Sequence, residues 1–237
     1  MNNFQFNVIG LIESPYKEKF AIPRQPGLID DGQGFLRLLP PYNHPDAVRG
    51  LEQFSHIWVI FIFHQTKQQS WRPLVRPPRL GGNTKMGVFA TRSPFRPNPI
   101  GMSLIELKNL IIRDSEVGLT LGSIDLVDGT PVIDIKPYLP FAESLPKAVA
   151  GFAQAAPANK MTVIFSATAQ KQLIEQQTRY SFLERFIRQV LAQDPRPAYK
   201  KNAADEKIYA VHLLDFNVRW RISANIVVVL SLDTLKN

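Results

Sequence analysis

Hydrophobic residues alternate with polar ones over most of the first 140 positions, and a period of two residues predicts β-strands. Gly, Pro, Asn and Asp interrupt this pattern at short intervals, so we expect short strands joined by turns. The predicted strands cover residues 4–12, 34–39, 56–63, 87–90, 100–112, 117–126 and 132–138. The run 56–63 is apolar at nearly every position, which favours a strand buried on both faces. Many short strands with little helix indicate a β-barrel or a β-sandwich.

The pattern changes to the period of an α-helix in the C-terminal part of the chain. Residues 167–177 favour one helix, and a second is expected to open at Ser181, where Glu184 completes a capping box. The apolar residues of this second helix recur at the spacing of a single helix face. The strands expected here are 161–165 and, as a small antiparallel sheet, 208–214, 216–222 and 226–232.

A stretch rich in proline and alanine separates the two patterns. Residues 139–159 contain three prolines and a run of small residues, a composition typical of a linker or an extended arm. We therefore predict a mainly β domain at 1–145, a linker or arm at 146–159 and a smaller α+β domain at 160–237.

Composition narrows the classes of function. The net charge is +8, so an anionic partner such as nucleic acid is expected. The chain has no cysteine, which excludes disulfides, thiolate metal ligands and a cysteine nucleophile. The four histidines are dispersed, so no metal site is predicted, and neither a glycine-rich phosphate loop nor a nucleophile elbow occurs. No signal peptide and no membrane-spanning apolar run are recognisable, so we expect a cytoplasmic protein without membrane contact.

A stiff basic loop between residues 86 and 104 is the first candidate for chemistry. It carries Arg92 and Arg96 among three prolines, and proline restricts both its own φ and the residue before it. Seven Lys and Arg residues and no acidic residue lie between Glu52 and Glu106, with aromatic residues among them. Fixed cations beside rings suit phosphates and stacked bases, although a solvated proline-rich surface turn has the same composition.

Polar residues in three further loops are weaker candidates. Arg24 and Gln25 lie between two prolines. His64 and Gln65 follow the apolar strand, where they are placed to line a pocket or to cap the strand. Asp128 precedes a glycine and is expected to be an ordinary turn residue unless its loop meets a ligand. The residues alone therefore predict a basic, mostly β protein with a cluster of polar loops.

Several runs of this sequence resemble one known family, the TrmO or TsaA-like proteins. The runs are GVFATRSPFRPNPIGMSL, DLVDGTPVIDIKPYLP, SPYKEKFAIPRQPGL and FHQ, and QDPRPAYKK and LDFNVRWRI extend the resemblance over nearly the whole chain. The resemblance implies an S-adenosyl-L-methionine-dependent tRNA methyltransferase that acts on the N6 nitrogen of threonylcarbamoyladenosine at position 37, next to the anticodon. It also implies a homodimer and an N-terminal β-barrel that binds the methyl donor without a Rossmann sheet.

The resemblance also implies donor-binding residues in four loops. They are Arg24, Gln25, Pro26, His64, Gln65, Arg92, Leu104, Asp125, Leu126, Val127 and Asp128. A carboxylate of Asp125 or Asp128 suits the ammonium or the ribose hydroxyls of the donor, and Arg92 suits its carboxylate. The sequence departs from some members of the family only at Ser93 and Pro94.

The nitrogen to be methylated is amide-like, so a nearby base is expected to take its proton. Tyr138, Asp134 and Lys136 are the candidates, and the sequence does not decide among them. Contacts to the anticodon arm are expected from Arg96, Arg185, Arg188, Arg196, Tyr199, Lys200, Lys201, Arg219 and Arg221. A non-catalytic RNA-binding barrel and, more weakly, a hydrolase using His64 are the alternatives, and tight binding of S-adenosylmethionine discriminates between them and the methyltransferase.

Overall fold

The computed structural model describes residues 4–66, 70–113, 116–156, 161–196, 207–223 and 226–235. The strands in these ranges are β1 (Gly10–Glu13), β2 (Gln33–Leu38), β3 (His56–Ile62), β4 (Leu74–Val75), β5 (Met86–Gly87), β6 (Ile100–Arg113), β7 (Glu116–Ser123), β8 (Pro131–Pro137), β9 (Thr162–Phe165), β10 (Tyr209–Leu213), β11 (Phe216–Ser223) and β12 (Ile226–Thr234). The α-helices in the same ranges are α1 (Pro140–Glu143), α2 (Ala167–Gln176) and α3 (Leu183–Ala192).

Six strands close into a barrel in the order β1-β2-β7-β6-β3-β8, and every neighbouring pair is antiparallel. Every second residue points inward, so that Ile12, Leu36, Ile57, Leu119 and Val132 are at most 1% exposed. Closure leaves no free sheet edge, and the inward residues form the core. The N-terminal barrel implied by the resemblance is therefore confirmed.

Strand β3 corrects one prediction. Ile57, Val59 and Phe61 are buried inside the barrel, whereas the alternate residues Trp58 and Ile60 face outward and are only half-buried. The prediction of a strand buried on both faces is wrong for the single chain, because a barrel wall has its packed core on one side only. The outward side of β3 is nevertheless apolar.

Two predicted strands are shorter in the structure. The strand expected from residue 4 begins at Gly10, and the strand expected at 87–90 is replaced after Met86–Gly87 by a 3₁₀ turn at Val88–Ala90. Phe4 is 80% exposed, so the alternation at the start of the chain does not correspond to a packed face.

The C-terminal part is a smaller α+β unit, as predicted. Its sheet has the order β10-β11-β12-β9, in which β9 joins β12 in parallel and the other pairs are antiparallel. The predicted antiparallel sheet is thus correct for three strands and omits the fourth. Helices α2 and α3 pack against this sheet, and the apolar stripe of α3 is buried through Phe186, Ile187 and Val190.

The predicted capping box at the start of α3 is wrong. The helix begins at Leu183, and its N-cap is Phe182, which has no side-chain oxygen to accept a hydrogen bond. Glu184 instead pairs with Arg188 one turn later. Ser181 lies in the turn before the helix, one residue too early to serve as the cap.

The barrel and the C-terminal unit share one hydrophobic core through aromatic residues. Tyr16 is fully buried, and its ring centroid lies 5.7 Å from that of Phe186 on α3. Phe20 stacks on Tyr209 and Trp220, with 6.4 Å between centroids in each pair. The two units pack tightly against one another, and the predicted domain boundaries stay a prediction.

The part of the predicted linker that the structure describes runs along the surface. Residues 139–156 are exposed, with the single exception of Phe152, which is half-buried. The indole N–H of Trp58 donates a hydrogen bond to the Glu143 carboxylate (2.7 Å) and attaches α1 to the barrel wall.

Candidate functional site

Loops at one end of the barrel enclose a cavity of about 250 Å³. The end of β3 and the starts of β6 and β8 meet there, because neighbouring strands are antiparallel. We call this space the Asp125 cavity, and its walls are Lys19, Ile22, residues 61–66, Pro94, residues 125–127 and Thr130. Five residues of the implied donor set lie in these walls: His64, Gln65, Asp125, Leu126 and Val127.

Asp125 has an unusual environment for a carboxylate. Burial raises its pKa to about 6, against the opposing effects of a hydrogen bond from Ser103 and the charge of Arg92. The Ser103 hydroxyl donates to Oδ1 of Asp125 at 2.6 Å, and Ser103 is itself 2% exposed on the inner side of β6. A carboxylate of this kind changes its charge close to neutral pH, as general bases in enzymes do.

The buried phenol of Tyr16 lies within electrostatic range of Asp125. Burial first, and the Asp125 charge second, raise the pKa of Tyr16 far above its usual value, so the hydroxyl stays protonated. This hydroxyl has no hydrogen-bond partner among the described residues. A further negative charge beside Asp125 is therefore avoided.

Asp128 holds its loop in place. One carboxylate oxygen accepts the backbone N–H of Ser14 (2.7 Å), and the other pairs with Lys17 at 2.9 Å. The Ser14 hydroxyl donates to the carbonyl oxygen of Leu126 (2.7 Å), so the same segment fixes two points of the loop. These bonds support the interpretation of Asp128 as a turn residue, and its contact with a donor stays a prediction.

The environment of His64 favours its uncharged form. Burial and, to a lesser extent, repulsion from Lys19 lower the pKa of the imidazole below its usual value of 6.5. Lys19 donates a hydrogen bond to the carbonyl oxygen of Gln65, which ties the turn after β3 to the segment that follows β1. His64 is therefore available as a neutral hydrogen-bonding group in the cavity wall.

A second cavity, of about 540 Å³, adjoins the first and shares Pro94 with it. We call it the basic cleft, because the cationic residues that line it are Arg24, Arg72, Arg76, Arg79, Lys85 and Arg92. Nη1 of Arg92 donates to Oε1 of Gln25 at 2.8 Å and joins two of the implied donor loops. Since Arg92 also lowers the pKa of Asp125, the cleft and the cavity are electrostatically coupled.

Some of the implied donor contacts lie elsewhere. Leu104 is on the outer side of β6, whereas its neighbour Ser103 points into the barrel. Pro26 is half-buried in the loop that carries Arg24. Seven of the implied donor residues thus line the two joined cavities: His64, Gln65, Asp125, Leu126 and Val127 in the first, and Arg24 and Arg92 in the second. Gln25, Pro26, Leu104 and Asp128 line neither cavity.

The three candidate bases lie outside the Asp125 cavity. Asp134 and Lys136 form a 3.0 Å ion pair at the surface of β8, as their alternation predicted. Tyr138 packs edge-on against Trp58, with 6.3 Å between the ring centroids. These positions do not support a direct role in proton transfer within the same chain.

Several predicted RNA contacts are engaged within the protein. Arg196 is 2% exposed and pairs with Asp194 at 2.9 Å, so its position does not support contact with a phosphate. Arg188 pairs with Glu184 and lies over the ring of Phe165. Both side chains stabilise the C-terminal unit.

Two more of these arginines have structural partners, and two are open to solvent. Arg96 donates to the carbonyl oxygen of Thr91 (3.0 Å) within its own loop. Arg185 pairs with Asp31 across the junction of barrel and C-terminal unit. Arg219 and Arg221 on β11 are exposed and take part in no ion pair within the described ranges. Tyr199, Lys200 and Lys201 lie outside the described residues.

Sequence reasoning missed Ser103 and Lys19. Ser103 could have been found, because it is a lone hydroxyl at an inward position of an otherwise apolar strand. Lys19 carried no such signal, since it lies in a loop whose path the local pattern does not determine. Arg79 is one of the seven cations between Glu52 and Glu106, but the sequence alone does not place it beside Arg24.

Within the described ranges, no helix is long and apolar enough to cross a membrane. The acidic and histidine residues described there form no group of three or more that could hold a metal ion.

The structure is a closed β-barrel without a Rossmann sheet, and it has a cavity at one end that holds a buried carboxylate. With the α+β unit packed beside the barrel, these features define a two-part β-barrel protein with a candidate ligand site. A family model for the tRNA-methyltransferase O N-terminal domain matches residues 11–144, and one for the TrmO C-terminal domain matches residues 158–235. The chain therefore belongs to the TrmO family.

Relatives of this chain match it over nearly its whole length. The tRNA (adenine(37)-N6)-methyltransferase of Escherichia coli (strain K12) is 65% identical over 223 residues, which cover 94% of this chain and 95% of the relative. A putative S-adenosylmethionine-dependent methyltransferase, RcsF, of Pseudomonas aeruginosa is 49% identical over 215 residues, 90% of each protein. The crystal structure of TrmO from Pseudomonas aeruginosa superposes with a TM-score of 0.79 at 38% identity over 98% of both chains.

Proposed function

We propose that this protein is an S-adenosyl-L-methionine-dependent methyltransferase that methylates N6 of threonylcarbamoyladenosine at position 37 of tRNA. The observation that supports it is the meeting of four distant loops around two joined cavities, one holding a desolvated carboxylate and the other a cluster of cations. Calorimetry with S-adenosylmethionine and transfer of labelled methyl to tRNA carrying this nucleoside test the proposal. Binding of RNA without donor binding or methyl transfer would favour a non-catalytic RNA-binding barrel.

The residues of the two cavities fit a zwitterionic methyl donor. When bound, S-adenosylmethionine supplies an electrophilic methyl group on a sulfonium centre. Arg92 presents a guanidinium whose position is fixed by Gln25, and it suits the donor carboxylate. His64 and Gln65 line the wall of the Asp125 cavity and supply neutral hydrogen-bonding groups. Methyl transfer is an in-line displacement, so such positioning contributes much of the rate.

Asp125 is the group we propose as proton acceptor, in preference to Asp134, Lys136 and Tyr138. Its carboxylate lines the cavity, and its raised pKa places the change of charge near the working pH. Ser103 orients the carboxylate by donating to one oxygen, which leaves the other able to receive a proton from the acceptor nitrogen. This role is consistent with a poorly nucleophilic, amide-like nitrogen that loses its proton during transfer.

We further propose a homodimer that pairs the outer faces of β3 and β6. Cross-strand neighbours there are Trp58 and Leu104, Ile60 and Met102, and Ile62 and Ile100. These side chains form one apolar patch, and Met102 is 48% exposed. Contiguous exposed apolar surface of this kind marks association sites. A second copy on this patch would cover Leu104, an implied donor contact that lies apart from the cavities.

The C-terminal unit is proposed to contact the anticodon arm through Arg219 and Arg221, which are exposed on β11. Cations on a solvent-facing sheet bind phosphates and produce a salt-dependent affinity. The cytoplasm is the compartment we propose, since tRNA is the substrate.

A further inference from the structure

The basic cleft contains positive charge without a counter-charge. Among the described residues that line it there is no Asp or Glu, and none of its six cations takes part in an ion pair within the described ranges. Arginines elsewhere in the same ranges commonly pair with carboxylates: Arg37, Arg49, Arg179, Arg185, Arg188 and Arg196. Concentrated like charge destabilises a protein unless an anion binds there.

Arg24 and Arg79 are the clearest pair in the cleft. Both residues line the cleft, and both are open to solvent. Partial burial first, and repulsion from Arg79 second, lower the pKa of the Arg24 guanidinium, so the two cations lie within electrostatic range of one another. Arg79 donates to the carbonyl oxygen of Ala155, a neutral acceptor that leaves its charge uncompensated. Two neighbouring guanidinium groups present planar donors of the kind that bind a carboxylate or a phosphate.

The other walls of the cleft indicate more than a bare anion. Leu74, Val75 and Phe152 line it, and Arg72 lies over the ring of Phe95, 5.1 Å from its centroid. Apolar and aromatic surface beside a group of cations suits a ligand that has an organic body and an acidic end.

The position of the cleft restricts the source of the anion. It shares Pro94 with the Asp125 cavity, and Arg92 lines the cleft while acting on Asp125. An anion in the cleft is therefore close to the place where the acceptor nitrogen must lie. The threonine carboxylate of threonylcarbamoyladenosine is separated from N6 by only a few bonds, whereas the phosphates of the same nucleotide are attached to the far side of the ribose.

We propose that Arg24 and Arg79 bind the carboxylate carried by the acceptor nucleoside, so that the basic cleft selects the threonylcarbamoyl base over unmodified adenosine. This inference rests on the proposed function. The other source of the same chemistry is an RNA phosphate, which the two guanidinium groups would bind without regard to the base.

Two anticodon stem-loop RNAs distinguish these sources. One carries threonylcarbamoyladenosine, and the other carries the same group with its carboxylate converted to the amide, which removes one charge and little else. Fluorescence anisotropy without donor gives the affinity of each RNA for the parent protein, Arg79→Ala and Arg219→Ala. Arg219→Ala is the matched control, because it removes the same charge from an exposed site on β11.

The parent is expected to bind the acid RNA about 10- to 150-fold more tightly than the amide RNA, the range for charge-assisted hydrogen bonds. Arg79→Ala should lose that preference by weakening only the acid RNA, while Arg219→Ala should weaken both RNAs equally and keep it. Arg24→Gln is the second variant if Arg79→Ala does not fold, and it should lose the preference in the same way.

Three results would overturn the inference. Equal affinity of the parent for both RNAs excludes recognition of the carboxylate. Equal weakening of both RNAs by Arg79→Ala assigns the cleft to a phosphate, and a retained preference in both cleft variants removes these arginines from recognition. Donor binding and methyl transfer by the parent are measured separately, so a failure of the proposed function is visible independently of these ratios.

Discussion

Asp125→Asn is expected to stabilise the protein and to impair its chemistry. Asparagine keeps the shape of the side chain, and its Oδ1 can still accept the hydrogen bond from Ser103. It cannot ionise, so it removes the free energy that the folded protein spends on a buried negative charge. Many enzymes show such a trade-off, in which an active-site residue that is needed for activity lowers the stability of the fold.

The size and pH dependence of this effect follow from the pKa of Asp125. Burial raises that pKa from 3.8 to about 6, and each unit corresponds to about 1.4 kcal/mol. In the window between these two pKa values, the folded protein retains a proton that the unfolded chain has released. The free energy of unfolding therefore falls as pH rises through the window, by about 3 kcal/mol in all, and this contribution is constant above it.

Urea denaturation of parent and variant across this pH range tests the prediction. Asp125→Asn should match the parent below the window and exceed its free energy of unfolding by about 3 kcal/mol above it. Asp134→Asn is the control, because its carboxylate pairs with Lys136 at the surface, and it should change stability by less than about 1 kcal/mol. A variant that is no more stable than the parent at pH 8, or whose gain does not vary with pH, would refute the reasoning.

The same variant discriminates between two roles of Asp125. As proton acceptor, Asp125 should affect kcat, so Asp125→Asn should retain donor affinity while losing activity by about 100-fold or more. The parent's rate should fall with decreasing pH below about 6, where the carboxylate becomes protonated. If Asp125 instead holds the donor ammonium, calorimetry should show weakened donor binding in Asp125→Asn.

The remaining predictions concern the donor and the dimer. Arg92→Ala should weaken donor binding in calorimetry about 10- to 150-fold through the loss of charge-assisted hydrogen bonds. Arg92→Lys should recover little of that loss, because lysine lacks the planar fork, and unchanged affinity in both variants would remove Arg92 from the donor site. The parent should be a dimer by light scattering at micromolar concentration, and Met102→Glu should shift it to monomer. Ile112→Glu, the same kind of change at an equally exposed position of β6 outside the apolar patch, should leave the dimer intact.

The barrel was predictable where the inward side of each strand is apolar. Leu36 and Val132 show this, because each lies in a short run whose alternation survives in the closed sheet. The run 56–63 misled because the outer side of β3 is apolar but is only half-buried within the chain. Periodicity reports that a face is apolar, and it does not report which molecule covers that face.

The candidate site was predictable only in part. The resemblance predicted the loops, but the pKa of Asp125 depends first on its burial and then on a hydrogen bond from Ser103. Ser103 lies on β6, and the closed barrel brings it next to the loop that carries Asp125. Arg196 appeared to be a free cation in the sequence, and its burial with Asp194 follows from packing that the local pattern does not contain. The sequence thus shows which residues are charged or polar. Their burial and their partners depend on the tertiary structure.

The segment from Ser14 to Phe20 links the stability of distant parts of the molecule. Ser14 and Lys19 hold the loops of the Asp125 cavity, while Tyr16 and Phe20 lie in the core shared with the C-terminal unit. Opening of that unit would release the segment and loosen the cavity, so the two events share one free energy. A ligand that binds only the closed cavity must then slow amide hydrogen exchange in α3, although it touches no residue of that helix.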